Sequence, residues 1–569
     1  MSFPENSRVF IGVDFGTTHT GAAFIRPGEV LKVISSWPTL KGNHLDTRVP
    51  SRMAYAAENP HSLRDVCGFQ ITPNMTTISW IKLALDPSML NRIRDGLSGH
   101  DNWADSVGIY RQPEGRDHVR IITDILTYIC KRVNKALQLY NLECYPKTVA
   151  FTHPATWSAE AIAATRQAAA DAGFGNEQED DIVMISEPQA ALSAILIDPG
   201  CAQCFLQPDD GVIVCDLGGG TADIASYSIY QKKGQPPIQL TAHTEPLAGS
   251  TAIDRGFYKL ASENLIQEFD NLGLEERAPG GSLMTDFESV KCEFKGAMDG
   301  ESRQLAYSRN GRHSQVKLSQ HDIHRLFYPI ITNICHCLST QISEANRIAQ
   351  APIITKISLT GGFANSSFLV AAIRRRFENT HLRVYRPDRP HDLVAKGAAI
   401  LAKDSFSREK ISFRHYGVGL ELPTAVGDLM EMSNDRNGVA GDGATREDIY
   451  WFLAKGEHYQ VDSTKTPWLG FQLHQDLPCA VVHVYDSEVD DKPRTVTEKG
   501  VRRIGQVIFD FTPILESGWQ SIGQELRIQV TITLGQSKID FEGWYGPLPV
   551  GSAHVEMFPP QRVSADSGM

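Results

Sequence analysis

The sequence predicts an α/β fold of two related lobes, followed by a smaller all-β domain. Three observations carry that reading. A strand that ends in Asp-x-Gly and then threonine occurs twice, about two hundred residues apart: Val9-Phe10-Ile11-Gly12-Val13-Asp14-Phe15-Gly16-Thr17-Thr18, and Val212-Ile213-Val214-Cys215-Asp216-Leu217-Gly218-Gly219-Gly220-Thr221. Around the two copies, short apolar strands alternate with stretches of helical periodicity as far as about residue 403, the pattern of an α/β chain. From Gly417 onward the period changes, and Leu526-Arg527-Ile528-Gln529-Val530-Thr531-Ile532-Thr533-Leu534 alternates strictly, as a half-buried antiparallel strand does.

The 569 residues are too many for one core and require several domains. A net charge of −12 argues against a nucleic-acid or anionic-membrane partner. No apolar run is long enough for a transmembrane helix, and Met1 to Arg8 is polar, so a cytoplasmic protein is expected, with the nucleus also open. The ten cysteines form no evenly spaced framework and read as reduced thiols. Cys201-x-x-Cys204 and Cys335-x-Cys337 together offer four sulfurs to a zinc ion, but they stand far apart in sequence, and free cysteines are the simpler reading.

Taken in order, the first element is the strand Val9–Val13 running into Asp14 and the Gly16-Thr17-Thr18 turn, with a hairpin beyond it. From Lys41 to about Asp117 the chain is polar and irregular, apart from the apolar run that holds Lys82. By itself such a lysine snorkels its ammonium to water. Residues 119–139 form a helix, with Ile122, Ile125, Leu126, Ile129, Val133 and Leu137 at helical spacing. The strand Thr148–Phe151 leads through His153-Pro154 to a helix capped by Ser158 and closed by Gly173. The strand Ile182–Ile185 turns at Ser186-Glu187-Pro188, where a carboxylate beside a proline at a helix N-terminus suits the dipole.

The second Asp-x-Gly copy follows Val212–Val214. Its three glycines let backbone N–H groups approach an anion, Thr221 adds a hydroxyl, and Asp216 can hold a hydrated cation. Two acidic residues and two Gly/Thr turns facing one cleft make a site for Mg²⁺ and a polyphosphate. Two ordinary strand-ending turns would not repeat Asp and Thr in matching places. Neither strand is followed by Gly-x4-Gly-Lys-[Ser/Thr], which excludes a P-loop.

These two turns resemble the phosphate loops of the actin-like ATPase superfamily, and most of all those of the seventy-kilodalton heat-shock chaperones. The resemblance runs to about residue 403. It implies two lobes of ribonuclease H-like topology in residues 1–404: lobe I at about 1–205 plus a closing helix at about 391–403, and lobe II at about 206–390. The block 411–546 resembles, by position and strand content, the family's β-sandwich peptide-binding domain. Beyond it, 547–569 is expected to be a disordered tail with no helical lid, the pattern of a divergent, lid-less branch.

The resemblance also assigns residues. It implies catalytic roles for Lys82, Glu187, Asp216 and Thr221. Lys82 would reach the γ-phosphate, and Glu187 would hold metal-bound or attacking water. Asp14 and Asp216 would hold Mg²⁺ through water, in the family's manner. Gly16, Thr17, Thr18, Gly218, Gly219 and Gly220 would cradle phosphates. Glu288 and Lys291, in Phe287-Glu288-Ser289-Val290-Lys291-Cys292, and Gly361, Gly362 and Phe363, in Gly361-Gly362-Phe363-Ala364-Asn365-Ser366, would meet the nucleoside. Gly249-Ser250-Thr251-Ala252-Ile253-Asp254 matches a further family turn. Four departures stand out. The arginine that partners the Pro154 relay is Ile162, the two adenine-stacking arginines are Cys292 and Asn365, and the aspartate-plus-leucines linker is Ile411-Ser412-Phe413-Arg414-His415-Tyr416. The implied function is slow ATP hydrolysis, with Mg²⁺, coupled to binding of unfolded or extended polypeptide. A small-molecule kinase of the same superfamily and a nucleotide-sensing scaffold are the alternatives.

Overall fold

The same strand order is built twice in the first part of the chain, and both copies end at the Asp-x-Gly turns. In the computed structural model, strands β1 (Val9–Phe15), β2 (His19–Ile25), β3 (Lys32–Val33), β4 (Lys147–His153) and β5 (Asp181–Ser186) form a sheet in the order β5-β4-β1-β2-β3. Strands β6 (Gly211–Leu217), β7 (Ala222–Ser228), β8 (Ile238–Glu245), β9 (Ile354–Thr360) and β10 (Arg383–Tyr385) form the second, in the order β8-β7-β6-β9-β10. In each, the Asp-bearing strand pairs antiparallel with the strand after it and parallel with a later one. The structure describes residues 8–557 apart from 88–108, 177–179, 198–205, 207–209, 230–236, 246–247, 267–268, 298–301, 310–311, 379–380, 406–408, 413, 421–447, 461–462, 473–477, 488, 490, 517–524 and 536–537. Cys201, Cys204, Phe413 and the tail from 558 onward therefore lie outside the described residues.

Helices cover the sheets for the reasons their sequences state. Helix α1 (His118–Gln138) buries Ile122, Ile125, Leu126, Ile129 and Val133, and Asp117 caps it by accepting from the Arg120 N–H. Helix α2 (Ala159–Asp171) is capped by Ser158, and Gly173 takes the left-handed φ of 100° just past its end. Helix α3 (Glu187–Ile197) starts at the end of β5. In the second lobe come α4 (Thr251–Leu260), α5 (Ser282–Glu293), α6 (Gln320–Ile348) and α7 (Ser367–Phe377). Helix α8 (Leu393–Ser405) returns to the first sheet, where Ala395 and Ala399 pack against Ala23. No described helix is long and apolar enough to cross a membrane.

The chain divides into two units, residues 1–404 and 405–569. The second unit holds a four-stranded and a five-stranded antiparallel sheet around one core, to which Val484, Val507 and Phe509 come from one sheet and Ile528, Val530, Ile532 and Phe541 from the other. The α/β class with terminal antiparallel sheets is as the sequence predicts. One boundary is corrected. The expected tail begins with a strand, Leu548–Glu556, paired with Lys538–Tyr545 through a turn at Gly546. Alternation was hard to read there because Pro549, Gly551, Ser552 and Ala553 supply few large apolar residues, yet Val550 and Val555 are buried in the core.

Candidate functional site

Between the two sheets of the first unit lies a cleft of about 440 Å³. Its walls carry Asp14, Gly16, Thr17 and Thr18 from the first turn; Asp216 and Gly218 to Thr221 from the second; and Lys82, Glu187, Glu288, Lys291, Gly361, Gly362 and Phe363. Asp14 and Asp216 occupy matching places near the C-terminal ends of β1 and β6. A threonine hydroxyl from the parallel neighbour strand holds each: Thr152 donates to Asp14 at 3.3 Å, and Thr360 to Asp216 at 3.2 Å. Neither threonine's role is visible in the sequence alone, where the one signal is a threonine at the end of each neighbouring strand.

The two turns touch. A Cβ on Gly219 would collide with the Thr18 side chain, and one on Gly220 with the Thr17 hydroxyl, so only glycine permits this approach. Gly361 is constrained differently. Its φ is 83°, and a Cβ there would meet the Asp216 carboxylate. Gly218 N–H donates to the Thr221 carbonyl at 3.0 Å, and the Ser250 and Thr251 N–H groups brace the Gly218 and Gly219 carbonyls at 3.1 and 2.9 Å.

Lys82 lies on a short 3₁₀ turn, Ile81–Leu85, behind Trp80, whose φ of 61° places a bulky residue in the left-handed region. Such strain persists only where packing over-determines it, and Trp80 is buried. The Lys82 side chain does not snorkel: the residue is 2% exposed, and its Nζ donates to Glu187 Oε1 at 2.5 Å. Burial works against its charge, but Glu187 and Asp14 outweigh burial and raise its pKa. The carboxylates that act on this ammonium are Glu187, Asp14 and Asp223. Burial first and Glu187 next raise the Asp14 pKa to about 6; the same causes, with Asp14 and Asp223 added, push Asp216 well above the usual carboxylate value. Hard oxygen donors whose own repulsion calls for positive charge fit a hydrated divalent cation such as Mg²⁺.

The segment after β4 ties the two lobes together. Ala155 N–H donates to Asp223 Oδ1 at 2.8 Å, and Thr156 N–H to Thr244 Oγ1 at 3.2 Å. Asp223 also accepts from Thr221 and Thr244, both at 2.6 Å.

The family model described as Hsp70 protein matches residues 117–410, more than half of the chain. The chain belongs to the Hsp70 family. Hsp70 proteins are ATPases that bind ATP with Mg²⁺ and generally bind polypeptide. The chain is 24% identical over 490 residues to a Vibrio cholerae protein named Chaperone protein HscA homolog, covering 82% of this chain and 71% of that protein. It is 26% identical over 410 residues to a Shewanella amazonensis HscA homolog, covering 70% and 59%. It is 23% identical over 374 residues to Heat shock 70 kDa protein 12A of Mus musculus, covering 59% and 52%. The chain thus spans about half to seven-tenths of the length of these relatives.

At the end of the cleft lined by Lys291, Gly362 and Phe363, the side chains are already engaged within the protein. Lys291 is buried and engaged by Asp254 Oδ1 at 2.6 Å and by Glu288, so its charge is already matched. Phe363 is 6% exposed, and its ring packs toward Phe327 in the core with centroids 6.2 Å apart, so little of it faces the cleft. Ile162 is packed against the core. Asn365 bonds His391 at 3.1 Å and accepts from Arg386 at 3.0 Å.

Two cations missed in the sequence come from the opposite wall. Arg48 lies against Gly362, and its Nε is buried with no hydrogen-bond partner among the described residues. Arg52 donates to the Pro279 carbonyl at 2.6 Å. His19 sits among them. Burial, then Arg48 and Arg52, lower its pKa to about 3, so the imidazole stays neutral. Nothing in the polar stretch 41–117 marks these residues; only strand pairing turns them into the cleft.

Proposed function

We propose that residues 1–404 bind Mg·ATP and hydrolyse it slowly, and that this cycle governs binding of extended polypeptide by the second unit. The observation that carries the reading is convergence. Two Asp-x-Gly-Thr turns from separate sheets, the Lys82–Glu187 pair and the Gly361-Gly362 turn line one cleft. In this reading the turn N–H groups and the Thr17, Thr18 and Thr221 hydroxyls orient phosphates. Lys82 offsets charge that grows on the transferred group, and Glu187 accepts a hydrogen bond from the attacking water. Asp14 and Asp216 would hold Mg²⁺, which, when bound, neutralises phosphate charge. Preorganisation is the contribution of the chain itself: Thr152 and Thr360 fix the two carboxylates before any ligand arrives. A cytosolic setting belongs to the same proposal.

The test is calorimetric titration of the full chain with ATP and Mg²⁺, with hydrolysis then measured alone, with unfolded polypeptide and with sugars. Saturable ATP binding and hydrolysis stimulated by polypeptide support the reading. Stimulation by a sugar, with phosphate transferred to it, would make the protein a kinase.

A further inference from the structure

The second lobe carries a cluster away from the nucleotide cleft that nothing above uses. Strand β8 ends in His243-Thr244-Glu245, and a strand's alternation sends the two outer side chains to one face and Thr244 to the other. Thr244 bonds Asp223 on its own face. On the opposite face α6 packs across β7 and β8 and brings in Cys337. Cys337 Sγ lies 3.7 Å from His243 Nε2, and His243 Nε2 lies 3.7 Å from Glu245 Oε2. The three ligand atoms all lie within 4.8 Å of one another.

We propose that His243, Glu245 and Cys337 form a binding site for a borderline-soft divalent cation, Zn²⁺ first, that staples strand β8 to helix α6. Geometry supports this. With Zn–N, Zn–O and Zn–S bonds of roughly 2.0–2.3 Å, tetrahedral ligands stand roughly 3.4–3.6 Å apart. The two measured separations of 3.7 Å are already within a few tenths of an ångström of that. The third needs at most a carboxylate rotamer shift of about 1 Å.

Donor chemistry supports it too. A thiolate with an imidazole selects zinc-like ions over Mg²⁺ and Ca²⁺, and three protein ligands leave a fourth position open to water. Glu245 and Cys337 are buried, so an ion there would be largely shielded. A second residue is in place as well: Cys337 Sγ donates to Asn333 Oδ1, one helical turn back, at 3.8 Å. Once metal displaces the thiol proton, the Asn333 amide can turn its NH₂ to the sulfur, the outer-shell support such ligands have. This pairing of Cys337 also differs from the four-cysteine set considered from sequence. Cys335, two residues away on α6, is not part of the cluster.

The test uses the full chain stripped with a chelator and titrated with Zn²⁺ and, for its spectrum, Co²⁺. The expected result is a thiolate-to-cobalt charge-transfer band that Zn²⁺ bleaches. The band persists in Cys335→Ser and in the Cys201→Ser/Cys204→Ser variant and is lost in Cys337→Ser. Zn²⁺ affinity should fall at least about 100-fold in Cys337→Ser and His243→Gln, and roughly 10- to 100-fold in Asn333→Ala. Zn²⁺ should also raise the unfolding temperature of the wild-type chain and not that of His243→Gln, which serves if Cys337→Ser folds poorly. A band that survives Cys337→Ser, a band lost with Cys201 and Cys204, or no binding at micromolar metal overturns the proposal.

Discussion

Lys82→Met deletes one charge from the cleft while keeping an unbranched stem in the slot. Lys82 and Glu187 are 2% and 6% exposed and bonded at 2.5 Å, so the change leaves Glu187 buried and facing Asp14 and Asp216 without its cation. Breaking one partner of a buried pair costs about 3–5 kcal/mol, most of it for the stranded charge. Hydrolysis should fall about 10²–10³-fold, the loss expected when one group that stabilises transition-state charge is removed. The two effects separate in Lys82→Met/Glu187→Gln. That variant has no stranded charge, so stability should recover by roughly 1–3 kcal/mol relative to Lys82→Met, while hydrolysis stays low. The assay is urea unfolding of the full chain, following the transition that ATP shifts, since ligand stabilises only the part that binds it. Phosphate release is measured on the same samples. Wild-type hydrolysis in Lys82→Met, or hydrolysis that returns together with stability in the double variant, would reduce the ammonium to a structural counter-ion and refute the catalytic reading.

Other outcomes follow from neighbouring residues. Asp216→Asn should lower hydrolysis by one to several orders of magnitude, as expected for loss of a charged group at the phosphates; an unchanged rate would mean the site is misplaced. Under the proposed function adenine should be held loosely, because the resemblance puts Cys292 and Asn365 where the family has stacking arginines, each lost contact being about 0.5–2 kcal/mol, and Phe363 is buried; calorimetry should find weak ATP-over-GTP preference, and a strong preference would count against it. His19 is held neutral, with its pKa lowered from 6.5 to about 3. Below pH 6.5 the unfolded chain therefore binds more protons than the folded one, and stability, complete above 6.5, drops as pH falls toward 3. At pH 5 this is about 2 kcal/mol if fully realised, and nearer 1 kcal/mol once solvent on its half-buried side is discounted. His19→Gln should remove that loss between pH 7 and pH 5 in urea titrations, and an identical acid slope in the variant would count against it. Exchanging ATP for ADP should change the peptide off-rate less than about tenfold, ~1.4 kcal/mol, because Ile162 replaces the relay arginine and the linker lacks its leucines; fluorescence anisotropy showing a hundredfold change would contradict this.

What could be read in sequence was whatever local chemistry makes visible. Asp14, Asp216 and the glycine turns repeat in order, because a phosphate-type turn needs particular backbone freedom and a particular carboxylate within a few residues. The strand patterns around them settled the α/β class, because burial on both faces leaves unbroken apolar runs such as Val212–Val214. The caps at Ser158 and Gly173 were visible for the same local reason.

The tertiary structure alone decided what depends on residues distant in the chain. Lys82 and Glu187 are 105 residues apart, and only folding shows that the ammonium is spent on that carboxylate. Arg48 and Arg52 sit in a stretch without periodicity, and it takes strand pairing, of Arg48 with Gly21 on β2 and of Arg52 with Ser79, to bring them to the cleft. Phe363 follows a glycine pair in a motif that points toward a ligand, yet the core beneath it takes the ring because burying an aromatic face outweighs leaving it open. Cys337 meets His243 across 94 residues by the packing of α6 on β8. Spacing along the chain encodes turns and faces, whereas a contact between elements depends on how two surfaces fit, and that fit is settled only when both are folded.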